Sequence, residues 1–169
     1  MLKLGIIGTG SISHEFIKAA HSTGDYQLAA VYSRTLASAE RFVQNYENTA
    51  VNTEMLDFLS SDIDVVYIAS PNSLHFNHAK VAILARKHVI VEKPAVSRPK
   101  EWRELVKLAD EHQVYLFEAA RNYHEQAFDT ISDFLKDKTV LGANFTYAKY
   151  SSKMQALLAG EQPNVFSAK

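Results

Sequence analysis

Three short polar patches of this chain combine residue types that can do chemistry, and each closes an apolar run. In "KHVIVEKPA" (87–95), Glu92, Lys93 and Pro94 follow one another directly. An acid and a base side by side are either solvated loop charges or the edge of an active site. Proline ends a strand because it has no N–H for the ladder, and it biases Lys93 toward extended backbone. In "GIIGTGSIS" (5–13), Gly8 and Gly10 occupy two positions of a G-x-G-x-x-G pattern, with Ser13 at the third. There the first glycine makes a tight turn, the second lets backbone approach a pyrophosphate, and the third allows close helix–strand packing, which a small serine can also permit. The helix that follows offers free N–H groups to an anion. In "VYSRT" (31–35), the place where an acid would bond the ribose 2′-hydroxyl of NAD carries Ser33, Arg34 and Thr35. A hydroxyl and a guanidinium bind a 2′-phosphate by charge-assisted hydrogen bonds, so NADP is favoured over NAD.

These patches need a scaffold, and the apolar runs supply it. "LKLGIIG", "YQLAAVYS", "NTAV", "DVVYIAS", "HVIVE" and "VYLFEAA" read as six short strands rich in Val, Ile, Leu and Ala. Helical segments separate them, including "TLASAERFVQNY", "TEMLDFLS" capped by Thr53, and "RPKEWRELVKLADEHQ" with Pro99 in its first turn. Alternation of this kind implies right-handed βαβ units and a parallel sheet covered on both faces. The expected fold is α/β, a doubly wound parallel-sheet Rossmann fold over 1–120. Residues 121–169 then read as a connecting helix and the first strand of an incomplete α+β domain for substrate and oligomerisation. That strand is "GANFTYAKYSS" (142–152), which alternates as a half-solvated antiparallel strand does. The tail beyond it has no clear period.

Composition narrows the classes. Hydrophobic residues make up 47% and charged ones 22% of the 169, the profile of a globular protein. Lys and Arg number 18 against 19 Asp and Glu, which leaves no basic excess to hold nucleic acid. No apolar run reaches the length of a membrane span, and the cytoplasm is the expected location. With no cysteine, thiolate metal sites are excluded. His75 and His78 share a helix face but lack a third ligand by spacing, so no metal is expected; one buried and one surface histidine is the reading adopted. Ser70, Pro71 and Asn72 in "SPNSLH" lie on the rim where such sheets bind ligands, with Asn72 or Ser73 available to cap the next helix.

Taken together, "LGIIGTGSIS", "VYSRT", "VVYIASPNSLH", "ARKHVIVEKPA" and "FEAARNYH" resemble, in order and spacing, the Gfo/Idh/MocA family of NAD(P)-dependent oxidoreductases. The resemblance covers about residues 1–150. It implies hydride transfer to or from a sugar, polyol, dihydrodiol or related alcohol or carbonyl, with a small-molecule substrate and a homo-oligomeric whole protein. It places Gly8, Thr9, Gly10, Ser11 and Ile12 on the pyrophosphate and Ser33 and Arg34 on the 2′-phosphate. Ser70, Pro71, Asn72 and His75 fall along the cofactor, and Arg121 and Asn122 beside the nicotinamide pocket. Lys93 is implied as the catalytic contact to the substrate oxygen, with Glu92 beside the nicotinamide ribose. The family's second catalytic motif, a glycine-rich segment with Asp and then His or Tyr, is not among these residues. Two rival readings are a catalytically silent NADP-binding module and a doubly wound protein that binds a different nucleotide; "EKP" and "YSRT" speak against the latter.

Overall fold

The computed structural model describes residues 1–146, 148 and 152–161. Their contacts cluster into two units, Met1–Ala119 and Ala120–Lys169.

The first unit is a six-stranded sheet: β1 (Leu2–Ile7), β2 (Tyr26–Tyr32), β3 (Ala50–Asn52), β4 (Val65–Ile68), β5 (His88–Val91) and β6 (Leu116–Glu118). All neighbouring pairs are parallel, in the order β3-β2-β1-β4-β5-β6. Helices α1 (Ser11–Ser22), α2 (Leu36–Val43), α3 (Met55–Ser60), α4 (Asn72–Leu84) and α5 (Pro99–His112) connect them.

The apolar runs form strands because two separate cores claim their alternate side chains. Leu4 and Ile6 of β1, Val65 and Tyr67 of β4, and Val31 of β2 pack with Ile17 of α1 and Phe42 of α2. Ile7, Val66, Ile68, Val89 and Val91 pack with Phe58 of α3, Ala79 and Ile83 of α4 and Leu105 of α5. A strand buried on both faces loses the polar/apolar alternation and reads as a continuous hydrophobic run. Gly5 in β1 is a packing necessity: a Cβ there would meet the Phe58 ring at 2.7 Å.

Local signals at the helix starts are mixed. Pro99 takes the first position of α5, and Glu101 reaches back to the Arg98 amide at 3.2 Å. The expected cap of α3 by Thr53 is not formed. Glu54 is the residue with extended backbone (φ −104°, ψ 130°) before the first turn, so the cap position falls one residue later and carries no side-chain bond. Likewise neither Asn72 nor Ser73 caps α4. Pro71 holds that position, and its carbonyl accepts the Leu74 N–H at 2.8 Å.

The second unit opens with a 3₁₀ turn (Arg121–His124), followed by α6 (Gln126–Leu135) and α7 (Ser152–Leu158). Of the strand expected at 142–152, residues 142–146 have no regular structure and Ser152 begins α7, while Tyr147 and residues 149–151 lie outside the described residues. A half-solvated strand persists only when an edge pairs its N–H and C=O groups, and no such edge is offered among the described residues of this unit. The tail is more regular than its sequence suggests. After α7, Gly160 takes φ +81°, and the Gly160 and Glu161 amides turn back to the Leu157 and Ala156 carbonyls, the usual glycine-ended helix stop.

Candidate active site

The strand order reverses between β1 and β4, and the loops leaving β1, β2 and β4 meet there around a cleft of about 510 Å³. Doubly wound sheets bind ligands at this switch point, beyond the carboxyl ends of the strands. Ile7, Gly8, Thr9 and Gly10 line it from β1, Tyr32 to Thr35 with Ser38 from β2, and Ala69 to Pro71 with Leu74 and His78 from β4.

The two glycines do different things. Gly8 has φ +108°, and a Cβ on it would lie 2.6 Å from the Ala69 carbonyl oxygen. It is required by its conformation and by the approach of β4. Gly10 has φ −86° and ψ 173°, a conformation open to any residue, and a Cβ on it would touch nothing within 4 Å. Neither strain nor packing asks for glycine there. What a side chain would fill is the open space above the N-terminus of α1, where the Ser11 and Ile12 N–H groups have no partner inside the helix. Ser13, at the third motif position, is fully buried and donates its hydroxyl to the Gly8 carbonyl at 2.8 Å. The residues present therefore fit a dinucleotide pyrophosphate: a bare cradle, free donors and a helix dipole pointing at it.

At the end of β2, the Ser33 amide bonds to the Asn52 carbonyl at 3.1 Å. Arg34 is exposed, and no carboxylate lies within ion-pair distance of it among the described residues. Its guanidinium remains available to an anion, and no acid stands after β2 to repel a 2′-phosphate.

The opposite side holds the two histidines. One of the pair was expected at the surface, and neither is: His78 is half-buried, lines the cleft and bonds through Nδ1 to the Ser70 hydroxyl at 2.9 Å. Burial, and secondarily the neighbouring His75, holds its pKa below the ordinary 6.5. His75 corrects an expectation. Its side chain is 1% exposed and does not line the cleft, because both ring nitrogens are taken, Nε2 by the Ser70 carbonyl at 2.8 Å and Nδ1 by the Pro94 carbonyl at 2.9 Å. Among the described residues no three His, Asp or Glu side chains converge to hold a metal ion.

Glu92 and Lys93 begin one residue past β5, whose Val91 pairs with Ile68 of β4. The Glu92 amide donates to the Ile68 carbonyl at 2.8 Å, which sets the tripeptide beside the Ala69 wall of the cleft. The Tyr67 hydroxyl donates to Glu92 Oε1 at 2.7 Å, and the Lys93 amide to Oε2 at 3.2 Å. Burial, with the hydrogen bond to Glu92 and that carboxylate's charge, pushes the Tyr67 phenol well above its ordinary value, so it stays a donor. Lys93 is exposed, and its ammonium has no ion-pair partner among the described residues. The Lys93–Pro94 bond is cis.

Of the residues singled out in the sequence, the fold brings Gly8, Thr9, Gly10, Ser33, Arg34, Ser70 and Pro71 together around the cleft. Ser11 and Ile12 start α1 with exposed side chains, and Asn72 is the first residue of α4. Arg121 and Asn122 are exposed on the 3₁₀ turn of the second unit, where Arg121 Nε pairs with Glu125 at 3.4 Å. Sequence reasoning missed Tyr32, Ser38, Leu74 and His78. The motif context of "YSRT" and "SPNSLH" could have drawn in their immediate neighbours.

A parallel sheet in this order, with a glycine-lined cleft at its switch point, defines a Rossmann-type dinucleotide-binding unit. Comparison with known proteins gives the family. Residues 2–120 match the family model described as "Oxidoreductase family, NAD-binding Rossmann fold", and the chain belongs to the Gfo/Idh/MocA oxidoreductases. It is 39% identical to the uncharacterized oxidoreductase YgjR of Escherichia coli strain K12, over 99% of this chain and 52% of that protein. It is 35% identical to scyllo-inositol 2-dehydrogenase (NADP(+)) IolU of Bacillus subtilis strain 168, over 98% and 51%. The chain thus spans about half the length of these relatives. Among solved structures it is similar to KijD10, a 3-ketoreductase from Actinomadura kijaniata in complex with NADP and TDP-benzene, with TM-score 0.75, 25% identity and coverage of 80% of this chain and 42% of that one.

Proposed function

We propose that this chain is the nucleotide-binding part of an NADP(H)-dependent oxidoreductase that works on an alcohol or carbonyl carbon of a sugar, polyol or related small molecule. The observation that carries the cofactor choice is the end of β2: Ser33 and Arg34, the latter without an ion-pair partner among the described residues, line the cleft where an NAD-specific site would carry an acid. Similarity to IolU, whose name specifies NADP(+) and an inositol, supports the same reading.

Bound at the cleft, the nicotinamide would supply the hydride chemistry. The protein's part is to hold and orient it and to manage a proton. Free N–H groups of Ser11 and Ile12 and the α1 dipole take the pyrophosphate. Lys93 Nζ, exposed and without an ion-pair partner among the described residues, donates to the substrate oxygen as that oxygen gains charge, or shares its proton as an alcohol is oxidised. Glu92, held between the Tyr67 hydroxyl and the Lys93 amide, keeps the lysine's backbone in place and retains acceptor capacity for a ribose hydroxyl.

Titration of the chain with NADPH and NADH, by cofactor fluorescence or calorimetry, tests the reading. NADPH should bind the tighter, and Arg34→Asp should weaken it at least roughly tenfold, the loss of one charge-assisted bond, while leaving NADH equal or better. Equal affinity of the parent chain for both cofactors, or an Arg34→Asp variant that still prefers NADPH, refutes the assignment.

A further inference from the structure

The turn that carries Lys93 is held by three side chains from three elements. Tyr67 of β4 bonds Glu92, and Glu118 at the end of β6 accepts the Ala95 amide at 2.8 Å through Oε1. The third, His75 of α4, lies between two carbonyls, that of Ser70 on one side and that of Pro94 on the other. Neither oxygen takes another hydrogen bond among the described residues.

The chemistry of this contact is unusual. A neutral imidazole has one N–H and one bare nitrogen, so it can donate to one carbonyl only and would set a lone pair against the second oxygen. The two contacts, 2.9 and 2.8 Å, are both at hydrogen-bond length. The imidazolium alone, with two N–H groups, satisfies both. What it joins matters as much. Ser70 is part of the cleft wall, and Pro94 directly follows Lys93.

We propose that His75 is a positioning residue: by donating from both ring nitrogens, it ties the Ser70 wall of the nucleotide cleft to the turn that presents Lys93. The consequence for catalysis rests on the function proposed above, but the tie itself does not. Titratable groups on the elements around it are His78 on α4, Glu92 and Lys93 on the turn, Glu118 on β6, and the Lys80–Glu104 pair between α4 and α5. Loss of either bond breaks the link, so the turn should loosen when the ring is replaced by a side chain that can reach only one of the two carbonyls, or neither.

The direct test is nitrogen-15 spectroscopy of the histidine rings in the unmodified chain at neutral pH, with amide exchange at Lys93 and Ala95 followed in parallel in that chain and in His75 variants. The expected result is a His75 ring with a slowly exchanging proton on each nitrogen, and Lys93 and Ala95 amides that exchange slowly while the ring is in place. In His75→Phe the two amides should exchange roughly tenfold faster, the cost of one bond to a charged donor, with His75→Gln, whose single amide nitrogen can reach one of the two carbonyls, in between. A His75 ring that carries a single proton at neutral pH overturns the proposal, and so does an exchange rate at Lys93 and Ala95 indifferent to the state of the ring. If the ring is doubly protonated and governs the turn while NADPH fails to bind, the tie stands and the proposed function falls.

Discussion

Gly8 and Gly10 differ in why they are glycine, and a pair of alanine substitutions separates the two reasons. At Gly8, a Cβ would come 2.6 Å from the Ala69 oxygen and 2.8 Å from its carbon, both backbone atoms that cannot swing away, at φ +108°. Backbone strain and overpacking together should cost roughly 2–5 kcal/mol. At Gly10 the new methyl meets nothing within 4 Å. There the loss of unfolded-chain freedom favours alanine by about 0.4–1 kcal/mol, and the poorer helix cap opposes it by a comparable amount of about 0.5–1 kcal/mol. The net change should lie within about 1 kcal/mol of zero, a shift of at most about 4 °C in Tm for a chain of this size. The methyl would, however, occupy the space above the free Ser11 and Ile12 N–H groups and hold a pyrophosphate off them. Losing even one hydrogen bond to a charged group costs about 1.5–3 kcal/mol, or roughly tenfold or more in affinity. The assay is thermal or urea unfolding beside NADPH titration. Gly10→Ala should unfold like the parent and bind weakly, and Gly8→Ala should be destabilised whatever it binds. A Gly10→Ala variant that is stable and binds NADPH at parental affinity would refute the placement of the pyrophosphate, and with it the reading of the cleft.

Two further outcomes follow from the polar groups around the cleft. Tyr67→Phe removes the donor to Glu92 Oε1 and leaves a partly buried carboxylate oxygen unmatched, which should lower stability by about 1–3 kcal/mol; urea unfolding at neutral pH reads this, and an unchanged midpoint would show that the bond contributes nothing. His78 is held below its ordinary value of 6.5 by burial first and by His75 second. Its proton is therefore bound more readily in the unfolded chain, so its contribution to stability is complete above about pH 6.5 and declines as pH falls through its lower folded value. Urea midpoints should drop over that window, and His78→Gln should flatten the drop.

The sheet was legible in the sequence because burial on both faces leaves a strong signature: unbroken Val, Ile and Ala runs of strand length, punctuated by glycine and polar turns. The glycine loop lining the cleft was legible for a related reason, since Gly8 and Gly10 stand at the first strand–helix junction, and position gives a short motif its meaning. Residues 142–146 show where this fails. Alternation predicts a strand only if an edge exists to pair it, and pairing is a property of the partner. The histidines fail differently. Around α4, Leu74, Phe76, Ala79, Val81, Ala82 and Ile83 leave no clean polar face, so periodicity cannot say that His75 points into the protein and His78 into the cleft. Glu118 was invisible for a third reason: its role depends on the parallel β5–β6 register, which brings it beside Val91 and within reach of the Ala95 amide.

What the sequence presented as three separate patches is joined in the fold by two buried side chains. Tyr67 stacks its ring on Phe16 of α1 at 3.7 Å between centroids and passes its hydroxyl to Glu92. Its ring thus rests on the helix whose N-terminus faces the phosphate cradle, and its oxygen rests on the residue before Lys93. His75 makes the corresponding link on the other face of the sheet, from Ser70 to Pro94. Both are more than nine-tenths buried, so neither can swing aside without opening a core cluster, and interiors packed this closely transmit displacement rather than absorb it. The glycine loop and the Lys93 turn are therefore fixed relative to each other by the core itself. Under the function proposed above, that is the condition hydride transfer would impose, because a cofactor anchored by its phosphates must deliver its ring to one place. The "EKP" turn meets it with few side-chain contacts of its own: Lys93 is exposed and its ammonium unpaired among the described residues, and its aim comes from Glu92, Pro94 and Ala95, each held from a different element.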